Sequence, residues 1–206
     1  MLSETRVVAV LRAQQASDYA PVVDALRAGG VISIELTLST PGANDELAAL
    51  RERFGDAVEL GIGTVTDVQQ ATAALDAGAA FLVTPITVEA ITRLAVERGI
   101  PVFPGGLTPT ELFAGWASGA TAVKVFPADT VGSGYVSSLR GPFPDIQVIP
   151  SGGVSIDGAA DWIRDGALAV SLGGPLLGDA FKGGDLGALT QRAQQVRRVV
   201  DDAASQ

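Results

Sequence analysis

The chain has 206 residues, 47% of them hydrophobic, enough apolar material for the core of one large domain. Fourteen basic against 23 acidic residues leave a net charge of −9, a surface that repels the phosphates of nucleic acid. Cysteine and histidine are both absent, which excludes disulfides, thiol nucleophiles, serine–histidine catalysis and most transition-metal sites.

The opening MLSETRVVAVLR carries Glu4 and only a short apolar run, VVAVL, which fits neither a signal peptide nor a membrane span. No membrane partner and a cytoplasmic location are therefore expected. Strand-length runs then recur: 6–12 (RVVAVLR), 32–38 (ISIELTL), 58–63 (VELGIG) and 79–84 (AAFLVT). They continue at 101–105 (PVFPG), 121–126 (TAVKVF), 146–153 (IQVIPSGG) and 168–174 (LAVSLGG). Amphipathic stretches with start and stop signals separate them. Gly29 and Gly78 read as helix ends, Thr40-Pro41 as a helix start, and Thr66 with Gln69 as a capping box. Val88, Ile91, Leu94 and Ala95 share one helical face before Gly99. Thr108-Pro109-Thr110-Glu111 is a second capping box, with proline at the first helical position.

Units of this kind in series, with no linker or low-complexity stretch, predict an α/β fold with a parallel sheet. Eight strand-like runs predict a (β/α)8 TIM barrel over residues 1–206, at about the lower size limit for that fold. A doubly wound open sheet is the alternative, and no GxGxxG follows the first strand to favour it.

A barrel gathers its chemistry at the C-terminal strand ends. Those ends here are Arg12, Glu35, Thr64, Thr84-Pro85, Pro104, Lys124, Ser151-Gly152-Gly153 and Gly173-Gly174, each about one β/α unit from the next. Alternation sharpens the pattern. Ile32, Ile34, Leu36 and Leu38 share one face of their strand and Ser33, Glu35 and Thr37 the other, while Val123 and Val125 flank Lys124. With the apolar faces turned out towards helices, Glu35 and Lys124 both point inward. A structural buried ion pair is one reading, although such a pair seldom stabilises by itself. The sharper reading is chemical. Burial disfavours an ammonium, a neutral amine attacks carbonyls to form a Schiff base, and a neighbouring carboxylate shuttles the protons. Lys124 is then the nucleophile, with no metal or other cofactor.

The remaining groups suit an anionic keto acid. Arg12 can grip a carboxylate or phosphate by a bidentate fork; as an arginine it can equally be an ordinary surface residue. Thr64 can donate its hydroxyl to the substrate or cap the turn before Thr66. Ser151, Gly152, Gly153, Gly173 and Gly174 follow the last two strands, where barrels often bind phosphate through backbone N–H groups. Pro85 and Phe126 read as apolar walls or as ordinary packing.

Taken in order, VVAVLRA, GGVISIELTLSTPGA, GIGTV, LVTP, PGGLTPTE, AVKVFPAD, GPFPDIQVIPSGGV and LGGPLL resemble the KDPG/KHG aldolase family. Its members are class I aldolases of 2-keto-3-deoxy-6-phosphogluconate and 4-hydroxy-2-oxoglutarate. The resemblance runs nearly the whole chain, and IELT, GIGTV and KVFPA in that order are its most specific part. It implies a barrel, a homotrimer, and reversible cleavage of a keto acid to pyruvate plus an aldehyde. The family's Schiff-base lysine falls on Lys124, its proton-shuttling glutamate on Glu35 and its pyruvate-side threonine on Thr64. Its wall residues fall on Pro85 and Phe126, and its phosphate-loop glycines on Gly152, Gly153 and Gly173.

Three positions depart from the family pattern. Ser39 stands where many members have arginine, a charge that Arg12 can supply. Ser151 replaces the threonine of their PTGG stretch, and a phosphate-holding serine falls on Gly174, which implies a weaker grip on phosphate. Two other functions remain open on sequence: a non-covalent phosphate-binding isomerase or epimerase using Glu35 as base, and a non-catalytic trimeric scaffold.

Overall fold

A computed structural model of the chain describes residues 2–205. Nine short strands run along them: β1 (Val7–Leu11), β2 (Ser33–Thr37), β3 (Glu59–Gly63), β4 (Leu82–Val83), β5 (Val102–Phe103), β6 (Gly105–Gly106), β7 (Val123–Val125), β8 (Val148–Pro150) and β9 (Val170–Leu172). Their pairings are parallel. Helices fill the intervals, from Tyr19–Ala28 after β1 to Leu186–Ala204 after β9. None of these helices is long and apolar enough to cross a membrane.

The strands form two curled sheets, one of six in the order β5-β4-β3-β2-β1-β9 and one of three in the order β6-β7-β8. Pro104 separates β5 from β6. Proline has no N–H to give to a ladder, but its carbonyl still accepts the Lys124 N–H at 2.8 Å. At the other side Ser151 and Ser171 make an isolated parallel bridge, and Leu168 N–H donates to the Val148 carbonyl at 2.9 Å. The α/β architecture with parallel strands is thus present, with its ladder in two parts.

Successive side chains on a strand face opposite ways, so each strand feeds two cores. Val7, Ala9 and Leu11 join the large cluster beneath the helices, whereas Val8 joins a smaller one. The same division separates Leu82 from Phe81 and Val83, Val123 from Ala122, and Val148 from Ile149. The smaller cluster is the inside of the curl. Phe81 and Phe103 meet there with ring centroids 5.7 Å apart, each ring worth about 1.5–3 kcal/mol in burial.

Two helix starts differ from expectation. The helix Val68–Asp76 is capped by Asp67, whose carboxylate accepts the Gln70 N–H at 2.8 Å. Thr66 instead donates its N–H and hydroxyl to Gln70 Oε1. Asp67 has the extended backbone a cap requires (φ −144°), so the cap shifts by one residue and no reciprocal box closes on it. The helix Ala43–Phe54 begins after Gly42 rather than at Thr40-Pro41, because the Thr40 hydroxyl is engaged with Ala13. The box at Thr108 and Glu111 forms as expected, and Ile91 and Ala95 are buried on the face read from the sequence.

Candidate active site

At the C-terminal ends of the strands the inner face turns from apolar to charged. Glu35, on β2, and Lys124, on β7, both point inward. Their side chains are only 2% and 9% exposed, and Lys124 Nζ lies 3.7 Å from Glu35 Oε2. The strand between Glu35 and the next wall makes room for this. A Cβ at Gly63 would collide with the Glu35 carboxylate, so glycine there is the condition for a glutamate here. Lys124 Nζ also stands 5.6 Å from the centre of the Phe126 ring, within cation–π range. Phe126 itself is 40% exposed and forms an open apolar wall.

Arg12 is exposed at the end of β1, but its backbone is fixed from both sides. Thr37 Oγ1 donates to the Leu11 carbonyl at 3.0 Å, and Thr40 Oγ1 accepts the Ala13 N–H at 3.0 Å. Behind it lies Tyr19, whose hydroxyl donates to Leu11 O. Burial pushes the Tyr19 phenol above its ordinary value, so it remains a neutral donor beside the guanidinium. Pro85 is held in a similar way: the Thr84 hydroxyl donates to the Ile86 carbonyl and accepts the Gly105 N–H.

Thr64 has φ +61°. A β-branched residue in the left-handed region is strained, and such strain persists where surrounding structure enforces it, often at functional sites. Opposite, Gly152 and Gly153 have φ +85° and +76°. The Gly152 carbonyl accepts the Ala128 and Asp129 N–H groups, both at 3.1 Å, which ties the end of β8 to the turn after β7. The Ser151 hydroxyl reaches Ser171 Oγ at 3.4 Å. Gly173 and Gly174 close the ring from β9, with no atom within 4 Å of a Cβ built at Gly174.

The eleven residues given catalytic or substrate roles from the sequence line one cavity of about 420 Å³, and the other two strand-end residues, Thr84 and Pro104, do not. It also takes in Val10, Pro175, Leu177, Gly178, Phe181 and Lys182, which sequence reasoning missed. Val10 was legible in principle, since it follows Val8 by one strand period. The others lie after β9 in single helical turns and their connections, too short for a period to mark a side chain's direction. The cavity holds three cationic side chains and one carboxylate, in a chain of net charge −9. That contrast concentrates positive charge where an anion could be held. Among the described residues no group of three or more acidic side chains is placed to hold a metal ion.

Comparison with known proteins points the same way. The family model described as KDPG and KHG aldolase matches residues 1–192. A 2-dehydro-3-deoxy-phosphogluconate aldolase of Pseudomonas aeruginosa is 35% identical over 161 residues, covering 78% of this chain and 73% of its own. The KDPG aldolase of Legionella pneumophila, solved with pyruvate captured as a covalent carbinolamine, superposes with a TM-score of 0.84 at 27% identity, covering 95% of each chain. A cube-shaped cage designed by fusing symmetric oligomeric domains superposes with a TM-score of 0.90 at 29% identity, covering 98% of this chain and 74% of the other.

Proposed function

The chain belongs to the KDPG and KHG aldolase family, and from that premise we propose how its cavity performs the reaction. It is a class I aldolase, a carbon–carbon lyase that reversibly cleaves a keto acid to pyruvate plus an aldehyde. The observation that carries the assignment of roles is the Lys124–Glu35 pair, 3.7 Å apart and nearly sealed from water.

Lys124 Nζ attacks the C2 carbonyl of a 2-keto-3-deoxy acid, giving a carbinolamine that loses water to form the imine. Glu35 supplies and removes the protons of that dehydration, the only carboxylate lining the cavity to do so. The protonated imine then draws electrons from the C3–C4 bond as Glu35 accepts the C4 hydroxyl proton. The aldehyde departs and an enamine remains. Protonation at C3 and hydrolysis release pyruvate and restore the amine.

Thr64 and Arg12 orient the anionic ends of the substrate, Pro85 and Phe126 wall the reacting carbons, and Ser151 with the four glycines receives the distal group. The distal group is a 6-phosphate, or the terminal carboxylate of 4-hydroxy-2-oxoglutarate. In both cases the partner is a small keto acid. Borohydride reduction in the presence of pyruvate tests the covalent step: one reduced pyruvate on Lys124 is expected. An enzyme that turns over substrate without that adduct would be using Glu35 alone, as a non-covalent isomerase does.

Two finer readings accompany this. With β5 and β6 counted as one strand broken at Pro104, the two sheets act as one eight-stranded barrel spanning the chain. The Ser151–Ser171 bridge on one side, and the Thr121 N–H donated to Val102 O at 3.1 Å on the other, support the closure. The assembly is a homotrimer. Support comes from Ile86, Phe113 and Val131, exposed by 52%, 43% and 36% on the units after β4, β6 and β7. Phe113 stacks on Phe143 at 4.5 Å. Light scattering that reads a stable monomer at micromolar concentration would overturn it.

A further inference from the structure

Lysine occurs twice in this chain, at Lys124 and Lys182; all other basic residues are arginine. The two lysines line the same cavity. Lys124 is accounted for by the chemistry, and Lys182 is not. It sits in the turn Ala180–Lys182, between the short helix Gly174–Leu177 and the helix Leu186–Ala204.

That turn is held in place. Gly178 and Gly183, at φ +57° and +80°, carry the chain in and out of it. The Lys182 and Gly184 N–H groups both donate to the Asp179 carbonyl, at 2.7 and 3.0 Å. Phe181 packs edge-on against the buried Tyr19, ring centroids 6.0 Å apart. Arg192 ties down the preceding helix by donating to the Leu176 and Leu177 carbonyls at 2.6 and 2.9 Å.

Neither acid that flanks the lysine is ion-paired with it among the described residues. The Asp179 carboxylate lies against Gly184, and the Asp185 carboxylate accepts the Gly187 N–H at 2.8 Å. Among the described residues Lys182 makes no ion pair. An exposed lysine is ordinarily a solvated surface charge. This one stands unpaired at the cavity of an acidic protein, on an anchored turn, beside glycines that offer no side-chain donor.

We propose that Lys182 is a specificity-determining residue whose ammonium, with Arg12, binds the terminal oxyanion of the substrate. The inference rests on the aldolase reading above and adds a residue to it. The shared chemistry is a phosphate monoester or a carboxylate at the end of the keto acid remote from C2. The hydroxyl absent at Gly174 is replaced by a charge delivered from the next turn. Because Lys182 is exposed, its attraction is screened by water and salt.

The test measures pyruvate release from 2-keto-3-deoxy-6-phosphogluconate, 4-hydroxy-2-oxoglutarate and unphosphorylated 2-keto-3-deoxygluconate. Lys182→Gln raises KM for an anion-ended substrate by about 5- to 20-fold, the range for one partly screened charged hydrogen bond. The effect shrinks as salt rises, kcat stays close to wild type, and KM for the neutral-ended acid does not move. Lys182→Arg restores most of the loss, and Arg198→Ala, a charge removed on the outer face of the last helix, changes nothing. A rise confined to the phosphate ester or to the dicarboxylate identifies which oxyanion is read. Equal changes for all three substrates, or none, overturn the proposal. Calorimetric titration with glycerol 3-phosphate and with glutarate separates it from the aldolase reading, since neither probe needs turnover. Weaker binding by Lys182→Gln supports the role even in a protein that releases no pyruvate; unchanged binding of both probes removes it even from an active aldolase.

Discussion

The interior of this fold has two halves built by the same strands. In the lower half the inward residues Val8, Phe81, Val83, Phe103, Ala122, Ile149 and Ala169 form an apolar cluster, beside which the buried Ser33 donates to Glu59 Oε2 at 2.8 Å. One strand period higher, Ala122 is succeeded by Lys124, and Ser33 on β2 by Glu35. The backbone, the direction and the exclusion of water are shared. What differs is that the lower side chains interdigitate with each other, whereas the upper ones face a cavity of about 420 Å³. The apolar cluster lies beneath the ion pair, whose side chains are only 9% and 2% exposed. A buried ion pair contributes little to stability, which leaves the apolar cluster to hold the fold and, on the proposed function, the ion pair to react.

The severest way to break this division is Lys124→Met, which places an apolar residue of similar length in the upper half. Borohydride trapping and pyruvate release are both expected to vanish, and the melting temperature should fall, because Glu35 is left as a buried carboxylate without its cation. A lower melting temperature with activity retained would make Lys124 a structural partner after all. Next comes Glu35→Gln, expected to slow turnover by about 10²–10⁴-fold while still trapping pyruvate. Wild-type turnover in that variant would confine Glu35 to pairing with Lys124.

The converse test is in the apolar cluster. Phe81→Ala should cost about 3–5 kcal/mol of stability, read as a melting temperature lower by roughly 6–20 °C for a chain of this size, with the imine still formed. Loss of the adduct at unchanged stability would mean that the halves are not separable. The rim sharpens the comparison further through its glycines. A Cβ at Gly153 would strike the Asp129 side chain, and at Gly152 it would lie 3.0 Å from the Phe126 ring. Both positions have left-handed φ, and Gly174 has neither constraint. Gly174→Ser should therefore be tolerated, and should improve KM for a phosphorylated substrate by up to the about 1.5–3 kcal/mol of one charged hydrogen bond. Gly153→Ala should destabilise instead. Equal stability of the two variants would remove the distinction.

The smallest effect serves as a reference for polar contacts in full contact with water. The Thr108 N–H and hydroxyl, together with the Leu107 N–H, hold the Glu111 carboxyl below the ordinary glutamate range. A carboxylate whose folded value is depressed stabilises above its unfolded value and loses that contribution as pH falls through the folded one. Thr108→Ala should cost about 0.5–2 kcal/mol at neutral pH, and the gap from wild type should narrow as the solution is acidified towards pH 3. A gap that stays constant would detach the cap from Glu111.

The legible part of the site was the part carried by regular strands. Ile34 and Leu36 against Glu35, and Val123 and Val125 against Lys124, announce their faces by alternation, and the structure keeps that order. Single helical turns have no such signal. Phe181 and Lys182 reach the cavity through a glycine-bounded turn, and neither was marked in the sequence. Helix starts were legible to within a residue or two, since whether Thr66 or Asp67 caps depends on backbone dihedrals that several polar residues can satisfy.

By itself the sequence determined the alternating units, the parallel sheet and the two inward charges, because periods of 2.0 and 3.6 residues project side chains without reference to the rest of the chain; the family followed from the order of its motifs. Only the tertiary structure decided that Glu35 and Lys124 stand 3.7 Å apart, that Gly63 clears the space for the carboxylate, and that Thr37 and Thr40 pin the strand end bearing Arg12. Those are contacts between residues 26 or more apart in the chain. Distance along the sequence carries no information about them until the sheet curls and brings the strand ends together.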